Sequence, residues 1–224
     1  MTILTLFREG VDMKIALTME KSQADKNNIV FETLKKVADK YGHTVFNYGQ
    51  YSADDSYQIS YNQQALLNAI LLNGQAVDFI VTGCGTGMGV MIASNAFPGV
   101  QCGFIADPVD AKLISEINYV NVVSTPFAKG FGWGGDLNLE MMLEQLLIPK
   151  PECRYLDPET DGLCIGYKNE LDYLKSVTHK PIIEILENYD RDSLKNTVSN
   201  EKFKDYFFPN CRDKELFDYI ERLL

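Results

Sequence analysis

Eight consecutive residues, Thr82-Gly83-Cys84-Gly85-Thr86-Gly87-Met88-Gly89, hold the densest chemistry in this chain. They follow an apolar run at 77–82 and precede a helical pattern at 88–96. Glycines let the backbone turn sharply and approach a ligand closely. The amides of Gly85 to Gly89 would then point outward at a helix N-terminus, a setting suited to phosphate or to an oxyanion. The plain alternative is a tight strand-to-helix turn. Met88 occupies the third glycine position of G-x-G-x-x-G, and no Gly-Lys-Ser/Thr ending follows, so neither nucleotide motif is matched. Cys84 lies at the mouth of the turn. A helix N-terminus stabilises a thiolate, which makes Cys84 a candidate nucleophile or base, against the simpler role of a small buried apolar residue. Thr86 either orients a hydroxyl or caps the helix.

Such a turn needs a parallel sheet beneath it. Apolar runs predict strands over 14–19, 44–48, 77–82, 100–106 and 120–124. Between them, three- and four-residue apolar spacing predicts helices from about 28 to 41, 60 to 73, 88 to 96, 108 to 118 and 136 to 147. Gly42 and Gly74 are natural helix stops. Asp107-Pro108 supplies a capping acid before a proline at the first helical position. Strands alternating with helices imply an α/β fold, with a parallel sheet covered on both faces. Ligands in such sheets bind at the carboxyl ends of the strands, near the topological switch point. After Ile148 three prolines break the pattern. The rest reads as a helical extension, with pieces at 171–177, 181–189 and 214–223, packed on the core or on a partner subunit. Tyr206, Phe207, Phe208 and Tyr219 need a surface to bury against.

Composition narrows the function. The 224 residues carry 31 acidic and 21 basic side chains, a net charge of −10. This opposes nucleic acid as a partner, because phosphate-backbone binding needs a basic face. Five cysteines with no Cys-x-x-Cys pair point to reduced thiols in a cytoplasmic protein. Only His43 and His179 are present, far apart, which argues against a zinc site. No apolar run reaches the roughly 20 residues of a membrane span. The leader before Met13 lacks the basic start and long apolar core of a signal peptide.

The stretch VDFIVTGCGTGMGVMIASNAFPGVQCGFIADPVDAKLISEINYVNVV resembles the core of the ribose-5-phosphate isomerase B family, which also includes galactose-6-phosphate isomerase subunits. The start MKIAL, the helix ending in KYGHTVFNYG and the following Tyr51-Ser52 fit the same order, so the resemblance spans about 13 to 147. It implies a Rossmann-like three-layer sandwich with a five-stranded parallel sheet over 13–148, with 149–224 as the extension. It also implies a homodimer or tetramer, no metal and no cofactor. The implied reaction is aldose–ketose interconversion of a sugar or sugar phosphate through an enediolate. By position, Cys84 corresponds to the base, Thr86 to a residue assisting at the sugar oxygens, and the amides of Gly85, Gly87 and Gly89 to the hole that holds the enediolate charge. Asn118 corresponds to a substrate-contacting asparagine. Glu20 and Lys21 stand in place of the family's Asp-His pair, as candidates for sugar hydroxyls and an anionic group, or as a solvated loop pair.

Two departures define the open questions. Ile117 stands where many members carry the histidine that opens the sugar ring. Isoleucine cannot transfer a proton, so another group opens the ring, the substrate arrives open-chain, or the substrate differs. His43 and His179 are poorly placed to take over. In the region where members hold phosphate with arginines, the single cation is Lys129, with Arg154 next along the chain. Phe131 and Trp133 in that loop either stack on a sugar face or serve packing. The competing function is a non-catalytic sugar-binding or regulatory protein on the same scaffold. Retention of Cys84, Thr86 and the glycines together favours the isomerase.

Overall fold

In the computed structural model, which describes residues 11–149 and 156–224, five strands form: β1 (Lys14–Leu17), β2 (Thr44–Asn47), β3 (Phe79–Cys84), β4 (Cys102–Phe104) and β5 (Val122–Pro126). Every pairing is parallel and the order is β2-β1-β3-β5-β4. The connections carry α1 (Asn27–Lys40), α2 (Tyr61–Asn73), α3 (Met88–Ser94), α4 (Pro108–Leu113) and α5 (Gly135–Leu147). Local chemistry sets their ends. Ser60 and Gln63 form a reciprocal capping box on α2, and Asp107 caps α4 ahead of Pro108. One face of the sheet packs against α1 and α5 through Leu34, Val37, Leu139 and Leu143. The other face packs against α2 through Leu66, Leu67 and Ile70. The three-layer Rossmann-like arrangement expected from the sequence is the one that forms.

The C-terminal part is more regular than the sequence suggested. It contains α6 (Pro158–Thr178), α7 (Ile182–Asn188), α8 (Arg191–Thr197), α9 (Phe203–Asn210) and α10 (Lys214–Leu223). Gly162 and Gly166 dilute the helical pattern of α6, yet Asp157 caps it and Pro158 opens it. A polar surface disguises α8 and an internal Pro209 disguises α9, and both are held by a few buried side chains. Leu194, Phe203, Phe207, Leu216 and Ile220 share one apolar cluster with α2 and the sheet. Phe203 stacks on Phe207 at 4.9 Å, and Tyr206 meets Tyr48 edge-on at 5.5 Å. No helix among the described residues is long and apolar enough to cross a membrane.

His43 lies just before β2, at the amino-terminal edge of the sheet, and is buried. Its Nδ1 accepts the Met13 N–H at 3.3 Å, and burial pushes the imidazole below its ordinary 6.5. The neutral form is therefore the folded form. The stability it contributes is complete above pH 6.5 and is lost as the pH falls through the lowered folded value. Thermal melts should show this slope below about pH 6.5, and it should flatten in His43→Asn, which keeps an acceptor but cannot titrate.

Candidate active site

The strand order reverses direction between β1 and β3, with β2 on one side and β5 on the other. This leaves a crevice at the carboxyl ends of β1 and β3, where α/β sheets bind ligands. The turn after β1 contributes Glu20 to Gln23, and the turn after β3 contributes Cys84 to Gly89. Strand β3 runs two residues further than its apolar pattern suggested. Cys84 is its last member, in register with Pro126, and the Cys84 carbonyl accepts the Phe127 N–H at 2.9 Å. The thiol is thus carried by the sheet and sits ahead of the helix that starts at Met88.

A buried polar network fixes this strand end. Gln64 Nε2 lies 2.9 Å from the Thr18 carbonyl, 2.7 Å from Thr82 Oγ1 and 3.2 Å from the Gly83 carbonyl. Thr18 Oγ1 bridges Asn68 and Thr82 at 2.8 and 2.9 Å. Asn68 Nδ2 continues to Ser94 Oγ at 3.3 Å. Gln64 and Asn68 are one turn apart on the inner side of α2, so one helix is bolted to β1, β3 and α3. A polar pair four residues apart within an apolar helix was the available signal, and sequence reading passed over it. The amide donors of Gln64 and Asn68 are paired, while Gln64 Oε1 has no partner among the described residues, and the paired bonds hold one geometry.

The turn itself divides its amides. Gly87 N–H donates to the Cys84 carbonyl at 3.3 Å, and Met88 N–H donates to Thr86 Oγ1 at 3.3 Å. The amides of Gly85, Thr86 and Gly89 have no acceptor among the described residues. Gly87 takes a left-handed φ of +74°, and Ser124 Oγ donates to its carbonyl at 2.6 Å. Thr86 is exposed and caps the turn. Glu20 is buried, and its carboxylate accepts both the N–H and the hydroxyl of Ser22. Lys21 is exposed, with its N–H on the Ile59 carbonyl. Lys129 is exposed at the same edge, its N–H donating to the Gly85 carbonyl at 3.1 Å.

Two side chains missed in the sequence also border the turn. Gln23 Nε2 lies 3.5 Å from where a Cβ on Gly85 would stand, and it donates to Ser22 Oγ. The Tyr61 ring lies 3.6 Å from where a Cβ on Gly89 would stand.

Asn118 does not join this group within one chain. It ends a π-helical turn that leads into the beginning of β5, whereas Cys84 lies at the end of the neighbouring β3. The two residues are at opposite ends of the sheet. Asn118 and Ile117 instead line a cavity of about 600 Å³ with Gln101, Tyr167 and Lys175. His43 lies at that opposite edge too, and His179 caps the end of α6. Phe131 packs edge-on against Phe127, while Trp133 is fully exposed. Arg154 and the leader before Val11 lie outside the described residues.

The four described cysteines are free. Cys102 faces the other end of the sheet, and burial pushes its thiol up to about 12. Its thiolate is disfavoured at neutral pH. Cys84 is 8% exposed, and its Sγ lies 3.7 Å from where a Cβ on Gly89 would stand. Among the described residues, no three His, Cys, Asp or Glu side chains gather as metal ligands would.

Comparison with known proteins identifies the scaffold. A model of the family described as Ribose/Galactose Isomerase matches residues 15–130, just over half of the chain. The chain belongs to this family. A second model, described as Ribose-5-phosphate isomerase, matches residues 177–223. The ribose-5-phosphate isomerase B of Escherichia coli strain K12 is 31% identical over 83 residues, which span 37% of this chain and 54% of that protein's length. Two solved structures extend the likeness across the C-terminal helices. One is a 4-deoxy-L-threo-5-hexosulose-uronate ketol-isomerase complexed with a tartrate. It is 46% identical, with a TM-score of 0.90 over 94% of this chain and 99% of that one. The other is a ribose-5-phosphate isomerase from Vibrio parahaemolyticus, 37% identical, with a TM-score of 0.89 over 96% of this chain and 100% of that one. Ribose/galactose isomerase family members can thus carry the long C-terminal helical region that the sequence set apart as an extension.

Proposed function

We propose that the protein is a ketol-isomerase of an open-chain, carboxylate-bearing sugar, with Cys84 as the base. The observation that carries this is the 46% identity to a hexosulose-uronate ketol-isomerase over 94% of the chain. The chemistry of that substrate class fits the departures in this sequence. A 4-deoxy-5-hexosulose-uronate has an aldehyde at carbon 1, a ketone at carbon 5 and no hydroxyl at carbon 4. Neither oxygen that normally closes a furanose or pyranose ring onto carbon 1 is available. Such a molecule needs no ring-opening acid, and Ile117 then costs nothing. It carries a single carboxylate in place of a phosphate dianion, which suits a crevice bordered by lysines, among them Lys21, Lys129 and the Lys26 that bonds Gln23 at 3.1 Å.

The reaction balances without a co-reactant. The Cys84 thiolate takes the proton from carbon 2, and the electron pair moves into the carbon 1–carbon 2 bond as the carbonyl oxygen gains charge. Unpartnered amides at Gly85, Thr86 and Gly89 are donors for that developing charge. Return of the proton to carbon 1, with transfer of the hydroxyl proton, gives the 2-ketose. Asn118 can contact this substrate only from a second copy of the chain. Met88 and Ile92 are exposed on α3 beside the turn, and Ile114, Val120 and Leu171 line the cavity next to Asn118, so both surfaces suit apolar contact in a homodimer.

Ribose 5-phosphate is the second reading, favoured by the 37%-identical enzyme and by the model over residues 177–223. Steady-state rates separate the two. The uronate should be turned over with a kcat/KM at least about 100-fold above that for ribose 5-phosphate, the range expected when a buried site lacks the partners for a substrate group. The reverse preference would select ribose 5-phosphate. Binding of either sugar without turnover would select the non-catalytic alternative.

A further inference from the structure

The Glu20–Lys21 turn hangs on the segment between β2 and α2, and the C-terminal helices hold that segment from outside. Past the ends of β1 and β2 the parallel pairing continues. Met19 N–H donates to the Gly49 carbonyl at 2.6 Å, and Gln50 N–H donates to the Met19 carbonyl at 2.9 Å. Beyond Glu20, Lys21 N–H donates to the Ile59 carbonyl at 3.1 Å. The backbone on either side of Glu20 is thus set by residues 49, 50 and 59. Residues 51–60 form no strand or helix of their own, so ordering them costs entropy that other contacts must offset.

Those contacts come from the end of α8 and the turn that follows it. The Tyr57 hydroxyl donates to the Thr197 carbonyl at 2.7 Å, and Asn196 Nδ2 donates to the Gln58 carbonyl at 2.9 Å. The Tyr51 hydroxyl lies 2.8 Å from Asn200 Oδ1 and 3.1 Å from the Asn47 carbonyl. Asn200 is 3% exposed, and its Oδ1 also accepts the Lys202 N–H at 2.9 Å. Its Nδ2 stands 2.8 Å from where a Cβ on Gly49 would be, so the side chain rests on the residue whose carbonyl receives Met19. The Cys84 turn is supported differently. Gln64, Asn68 and Ser124 hold it, and none of them bonds to the C-terminal helices among the described residues. The two sides of the crevice therefore have separate supports.

We propose that Asn200 is a positioning residue of the isomerase site. It holds the 49–59 segment, and through it the Glu20–Lys21 turn, in the geometry that binds substrate, while the Cys84 turn is set independently. The inference rests on the isomerase reading and gives the C-terminal helices a part in substrate binding.

Steady-state kinetics test this, on whichever of the hexosulose-uronate and ribose 5-phosphate the wild type turns over. Asn200→Ala and Tyr51→Phe should each raise KM about fivefold through the lost hydrogen bond, with kcat within about twofold of wild type because the Cys84 side keeps its support. The double variant should raise KM little further, since both changes break one contact. Leu216→Ala is the stability control. Leu216 is buried in the apolar cluster and makes none of these side-chain bonds. Its loss should lower Tm by about 5 °C or more yet leave KM within about twofold of wild type. If wild type is active and Asn200→Ala and Tyr51→Phe leave KM unchanged, or lower kcat as much as they raise KM, the inference falls alone. It also falls alone if Leu216→Ala raises KM as much as they do, because general loosening would then explain the effect. If wild type turns over neither sugar, the isomerase reading falls and takes this inference with it.

Discussion

Replacing Cys84 by serine should reduce turnover about 1,000-fold or more, within the range for loss of a positioned general base, while the protein stays folded. The exchange of sulfur for oxygen is small, and among the described residues the thiol makes no hydrogen bond that serine would break. What changes is the proton affinity. A serine hydroxyl is far too weak an acid to hold a population of alkoxide at neutral pH, whereas a thiol titrates within about two units of it. The described residues near the turn offer no substitute base. Both Glu20 oxygens already accept from Ser22, and neither histidine is at this end of the sheet. Steady-state rates and a melting curve on the same preparation check the prediction. Retained activity would remove Cys84 from the base's role, whereas lost activity with a collapsed melt would leave packing as the cause.

Gly87→Ala should destabilise the fold by about 2–4 kcal/mol, combining a left-handed φ with overpacking. The expected drop in Tm is about 5–15 °C for a chain of this size. The residue sits at φ +74°, where a β-carbon is strained whatever the space. The space is also taken. A Cβ would stand 2.8 Å from Phe104 Cε2, 2.9 Å from the Thr125 carbonyl carbon and 3.0 Å from the Pro126 nitrogen. Two of those neighbours are backbone of the adjacent strand and cannot rotate away. Gly85 provides the contrast. Its φ is unexceptional, and a Cβ there would meet only Gln23 at 3.5 Å and Ala128 at 3.7 Å. Gly85→Ala should therefore melt close to wild type yet lose activity, because the methyl would occupy the approach to a free amide. The same change at two glycines of one motif thus separates a residue the fold requires from one the ligand requires. Equal Tm losses at both positions would contradict that division.

The sheet was legible because both of its faces are covered, so each strand reads as an apolar run and each crossover as a helical period. Strand β3 was placed two residues short because Gly83 and Cys84 carry no apolar signal. They pair because β5 runs alongside, and a Cβ on Gly83 would stand only 2.3 Å from the Thr125 carbonyl oxygen. The turn from Cys84 to Gly89 announced itself through its glycines. Tyr61 and Gln23 did not, since nothing local distinguishes a tyrosine that opens a helix over a thiol from one that opens it over solvent. Asn118 shows the opposite limit. Its motif is visible in the sequence, but its place at the far end of the sheet follows only from the strand register. The helices over 191–197 and 203–210 were hidden because the first is short and polar, the second is short and contains Pro209, and both are stabilised by the surface they cover, here the α2 face of the sheet, more than by their own propensity.

The most direct measurement is solvent-deuterium incorporation, followed by proton NMR, with the hexosulose-uronate and with ribose 5-phosphate, for wild type and Cys84→Ser. Wild type should place deuterium on carbon 1 of the 2-ketose formed from the uronate, and Cys84→Ser should leave that carbon unlabelled. Exchange continuing at a near wild-type rate in Cys84→Ser would contradict a cysteine base, and a sugar that binds wild type without exchanging would contradict enolisation at this site.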